Sequence, residues 1–227
     1  RYDRLAGAEN FPDRPPVDDM GAIKPLRFSV SGRVLLPLSI LAYSVSPVVS
    51  WLATSMLLAQ MEWRWLGLGW NFLAFLPVAL ALNASKEVSN DWAWYVRHFR
   101  DEYPNYALLD IFGNLTPSNQ WEEPLYYAAS WVIAQLFPGN VDMLILGILV
   151  GVYGPLSLAC AVTAHGLKLD AINTLLLQLC LVGYGLTFTL VTHLVRQSIA
   201  TAVLVLALAL VVQNRLAAGV IAVGAAS

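Results

Sequence analysis

From Met143 to Thr163 the chain runs without a charged side chain, and the same is true from Val34 to Gln60, from Leu66 to Leu82 and from Ile172 to Val191. A helix crossing a bilayer takes roughly 20 apolar residues, so a series of such runs leaves few folds open. A backbone in lipid has to satisfy its own hydrogen bonds within helices or a closed barrel. No stretch shows the alternating pattern of barrel strands. The expected class is therefore an all-α polytopic integral membrane protein, with about six to seven transmembrane helices and one long polar interfacial loop. Composition agrees: 58% of the 227 residues are hydrophobic and only 12% charged, about half the charge of a soluble domain. A net charge of −2 offers no basic surface for nucleic acid. Cys160 and Cys180 both lie inside apolar runs, where they read as packing residues rather than as a disulfide framework.

Two parts are expected: an extended polar arm over residues 1–33, and a helical membrane domain over 34–227. The arm carries Pro12, Pro15, Pro16 and Pro25 and six basic residues, and the positive-inside rule places it in the cytoplasm. Val34–Gln60 is read as one spanning helix kinked at Pro37 and Pro47, and Leu66–Leu82 as a second. Two full spans would return the next segment to the cytoplasmic side. Leu125–Phe137 is about half a span, tilted or re-entrant. In Met143–Thr163, Gly147, Gly151 and Gly154 are placed to admit neighbouring helices. The chain starts at Arg1 rather than Met and stops directly after an apolar run; both ends are expected to be cuts in a longer protein.

Chemistry is expected in the polar segment 83–126. It holds Glu87, Asp91, Asp101, Glu102, Asp110, Glu122 and Glu123 among seven tryptophans and tyrosines. Asp91 and Tyr95 are four residues apart, which on a helix sets carboxylate and phenol on one face. Arg97 and Arg100 form a cationic patch suited to phosphate. The competing reading of this stretch is an amphipathic helix with its aromatic rings at headgroup depth. Glu122 and Glu123 precede Pro124, where the helix dipole favours an acid. Arg196 and Gln197 interrupt apolar sequence; an arginine at such a place faces a cavity, a carboxylate or the interface. His98, His165 and His193 sit on separate segments, and no metal-ligand spacing appears. No cofactor is expected.

The order of these groups resembles that of the EpsG-like family of bacterial polysaccharide polymerases. Asp91 and Tyr95, then Glu123-Pro124-Leu125-Tyr126 opening a helix, then Arg196-Gln197-Ser198-Ile199-Ala200 opening a later one, carry the resemblance over about residues 66–225. The family is similar in role to Wzy-type polymerases, which join repeat units carried on a polyprenyl diphosphate. The resemblance implies a multi-pass protein of the bacterial inner membrane acting on polyprenyl-diphosphate-linked oligosaccharide. It implies Asp91 or Glu123 as the general base for the acceptor hydroxyl. Arg196, with Arg97 or Arg100, would neutralise the departing diphosphate, and Tyr95, Tyr126 and Gln197 would complete the substrate site. The alternative is a non-catalytic transmembrane subunit, held in a larger complex of other membrane subunits by its glycine-lined helices.

Overall fold

The computed structural model describes residues 32–59, 64–84, 90–107, 124–187, 195–213, 219, 220 and 224. Among them every regular element is helical: α1 (Gly32–Tyr43), α2 (Pro47–Ser55), α3 (Arg64–Ala84), α4 (Asn90–Arg97), α5 (Pro124–Leu136), α6 (Val141–Gly166), α7 (Ala171–Thr187) and α8 (Val195–Val212). A π-helical turn, His98–Glu102, and a 3₁₀ turn, Tyr103–Asn105, extend α4. The arm over residues 1–31 lies outside the described residues.

α6 is the axis of the bundle, packing on α3, α5, α7 and α8, most extensively on α8. Its sequence sets both limits. The Asn140 side chain accepts from the Met143 amide, satisfying one of the four donors a helix start leaves open. At the far end Lys168 adopts a left-handed conformation (φ 52°), and the Leu169 amide turns back to the Ala164 carbonyl at 2.9 Å. Among the described residues α6 alone is long and apolar enough to cross a membrane; α1, α3, α7 and α8 contain shorter apolar stretches. Gly147 is where α5 comes close, since a Cβ there would run into Ile133. At Gly151 the Ile199 side chain of α8 would sit 3.4 Å from such an atom, whereas Gly154 faces open space. Of the three glycines only Gly147 is therefore required for helix approach, since at Gly151 a Cβ would make an ordinary contact.

The uncharged run Val34–Gln60 is not one kinked helix. Ser46 takes an extended conformation (φ −158°, ψ 117°) and its hydroxyl caps α2 at the Val49 amide. Pro47 then starts the new helix, since proline is favoured in a first helical turn. α1 and α2 pack against each other across this break. At 12 and nine residues and 1.5 Å per residue, each falls well short of the roughly 30 Å hydrocarbon layer.

Polar side chains lock α2, α3, α6 and α7 together inside the bundle. The Asn71 amide nitrogen donates to Ser55 Oγ (2.9 Å), Thr54 Oγ1 (3.2 Å) and the Trp51 carbonyl (3.3 Å). Gln178 Nε2 donates to Asn71 Oδ1 and to Ser157 Oγ, each at 3.2 Å. Both amides are fully buried. Buried amides need partners because their desolvation is otherwise uncompensated, so this network fixes which faces meet. Trp51, Phe75 and Tyr153 stack beside it at 4.9 and 4.8 Å.

Candidate functional site

α4, its π turn and the start of α5 form an aromatic wall at one end of the bundle. The spacing of Trp92, Tyr95, Phe99 and Tyr103, all buried, is that of one helical face. The π turn carries this face past Arg97: the Tyr103 amide bonds to the His98 carbonyl five residues earlier. Such single turns recur at functional sites. Pro104 supplies no N–H to continue the helix. Two α5 side chains then take up the exposed carbonyls, Gln135 Nε2 donating to Tyr103 O at 3.0 Å and Trp131 Nε1 to Tyr106 O at 2.8 Å.

Six rings follow one another in a closed sequence of neighbours. Trp94 meets Tyr95 at 5.3 Å, Tyr95 meets Tyr126 at 5.5 Å, and Tyr126 meets Tyr127 at 5.5 Å. Tyr127 meets Tyr103 at 6.5 Å, Tyr103 meets His98 at 6.3 Å, and His98 returns to Trp94 at 3.9 Å. Most contacts are edge to face, the arrangement the ring quadrupoles favour. Burial, then the neighbouring phenols of Tyr126 and Tyr127, push the Tyr103 hydroxyl well above the ordinary tyrosine range, so it remains a neutral phenol.

Of the residues singled out in the sequence, Tyr95 and Tyr126 are brought together, both buried, while Arg97, Arg100 and Gln197 are exposed. Asp91 occupies α4 one turn before Tyr95, and Arg196 the first turn of α8; the structure describes the backbone alone at these two. Glu123 lies outside the described residues, as does His193. Ile199, one turn after Arg196, packs against the aromatic cluster that contains Tyr95 and Tyr126. The three sequence motifs thus converge on one cluster.

Sequence reasoning passed over the pair His98 and Glu102. His98 Nδ1 lies 2.5 Å from Glu102 Oε2, with side chains 22% and 31% exposed. Their i, i+4 spacing was the available signal, since residues four apart on a helix are neighbours.

Among the described residues the regular elements are all helical and one, α6, is long and apolar enough to cross a membrane, which is compatible with a helical membrane protein whose aromatic cluster lies beside the start of α6. The family model of the EpsG family matches residues 70–227, a stretch that takes in every element of this cluster. The chain belongs to the EpsG family, a bacterial, membrane-associated family connected with polysaccharide biosynthesis. No curated protein and no solved structure matches it.

Proposed function

We propose that the chain is a membrane glycosyltransferase that joins polyprenyl-diphosphate-linked sugar repeat units into an exported polysaccharide. One observation supports this above the rest: three motifs spread over about 110 residues of sequence, on α4, α5 and α8, lead to a single aromatic cluster. Rings suit the apolar faces of sugars, and a transferase needs carboxylate and cation beside them.

In this reading Asp91 or Glu123 removes the proton from the acceptor hydroxyl as its oxygen attacks the anomeric carbon of the donor. The bond from that carbon to the diphosphate oxygen breaks, and the electron pair leaves with the diphosphate. Arg196, with the exposed Arg97 or Arg100, stabilises that departing charge. Gln197 is exposed to the sugars, and Tyr95 and Tyr126, both buried, set the wall behind them.

The broken first hydrophobic run bears on sidedness. α1 and α2 are each too short to cross alone, and in this reading α3, although its apolar stretch is shorter than that of α6, crosses first from a cytoplasmic arm, so that the polar segment belongs on the outer face, where repeat units of an exported polymer are joined. Replacing Asp91 by Asn, Glu123 by Gln and Arg196 by Gln, singly, tests the reaction. Each is expected to shorten or abolish the glycan; unchanged glycan length and amount in all three would refute the reading and favour the non-catalytic subunit.

A further inference from the structure

The half-exposed edge of the aromatic wall is built differently from its interior. Trp94 keeps 43% of its surface accessible although His98 lies against its ring at 3.9 Å. His98 Nδ1 and Glu102 Oε2 are hydrogen-bonded, and in the tautomer in which Nδ1–H donates to the carboxylate the imidazole lone pair sits on Nε2 while Glu102 keeps Oε1. Among the described residues neither atom has a hydrogen-bond partner. The π turn carries both members of the pair, with Phe99 of that turn and Tyr103 of the following 3₁₀ turn buried.

An apolar plate with two acceptors at its rim matches one class of ligand. A pyranose has an apolar face of C–H groups and a rim of hydroxyls that donate. We infer that Trp94, His98 and Glu102 form a carbohydrate subsite, in which one sugar ring lies on the indole while two of its hydroxyls donate to His98 Nε2 and Glu102 Oε1. This inference rests on the polymerase reading for its biological meaning, as the subsite that holds the acceptor sugar, but its chemistry stands on these three side chains. Arg97 and Arg100, exposed on the neighbouring turn, remain for a phosphate.

The test uses the full chain in detergent and diethyl pyrocarbonate, which acylates unprotonated imidazole nitrogens, with modification read at each histidine by peptide mass spectrometry. His98 reacts at Nε2, and the exposed His165 serves as the internal control. Methyl glycosides of glucose, galactose and N-acetylglucosamine are the probes. At least one is expected to protect His98 saturably, slowing its modification about sixfold at five times its Kd by the factor 1 + [L]/Kd, with no effect at His165. Trp94→Ala abolishes the protection, and so does the near-isosteric Glu102→Gln, which keeps the fold if the tryptophan variant does not. Absence of protection by every glycoside, equal protection at His165, or protection that survives Glu102→Gln would overturn the subsite. The polymerase reading fails separately: inert Asp91, Glu123 and Arg196 variants would leave the protection of His98 intact.

Discussion

The rings of Tyr95 and Tyr126 meet edge to face, their centroids 5.5 Å apart and their planes at 73°. One comes from the middle of α4 and the other from the first turn of α5, with the long polar stretch between them. Their contact joins α4 to α5, and Tyr126 also touches Tyr127, which faces Tyr103 beyond the π turn. Removing the ring in Tyr126→Ala is expected to destabilise the protein by about 3 kcal/mol, the cost of truncating a large buried aromatic. Thermal unfolding in detergent measures it, and a loss near zero would show that the wall is not held by this pair.

The buried amides offer a second test. Asn71→Leu strands donors and acceptors on α2 and α7, at an expected cost of about 1–3 kcal/mol. Gln178→Leu should also destabilise. Since Gln178 Nε2 donates directly to Asn71 Oδ1, the double variant should lose less than the sum of the two, by about 0.6 kcal/mol if the bond resembles others between membrane helices. Unfolding titrated with dodecyl sulfate gives all three values, and strict additivity would contradict the bond.

Tyr103 predicts an alkaline limit. Its phenol is held above the ordinary range by burial, and then by Tyr126 and Tyr127, so the folded state favours the neutral form. The sign follows: this stability is fully present below the unfolded tyrosine value of about 10 and is lost as pH rises above it. Unfolding temperatures taken between about pH 8 and pH 11 should fall, and fall less steeply in Tyr103→Phe. Identical slopes would mean that Tyr103 is not the group responsible.

The break at Ser46 makes the side of the membrane on which the polar segment lies a direct test of the proposed function. In a background with Cys160 and Cys180 replaced, a single cysteine at the exposed Asp101 should react with an impermeant thiol reagent added to intact cells. Protection until the cells are opened would put the polar segment in the cytoplasm and favour the subunit reading over the polymerase.

Most helices were legible in the sequence because a helix is a local structure. The uncharged stretch Met143–Thr163 lies within α6, Asn140 and Gly139 mark the α6 start, and the motif order was enough to indicate the family. Val34–Gln60 was misread because proline is compatible with either a kink or a new start. What decided for a new start was Ser46, extended and capping α2, together with the packing of α1 on α2. Tyr95 and Tyr126 could be selected as functional from their motifs, but not as neighbours. The His98 and Glu102 pair was overlooked because four-residue spacing is common among helical side chains, and only the π turn and the Trp94 ring give this instance a place.

That the chain is helical and apolar, with its polar groups concentrated in one segment, could be read from local pattern, because hydropathy and helix ends are set by residues within a turn or two of each other. That α4, α5 and α8 share one aromatic cluster, and that Asn71 and Gln178 find each other across 107 positions, emerges from the packed bundle alone. Those contacts are made between helices, and which faces meet depends on packing and on satisfying buried polar groups across the whole bundle, which no local pattern contains.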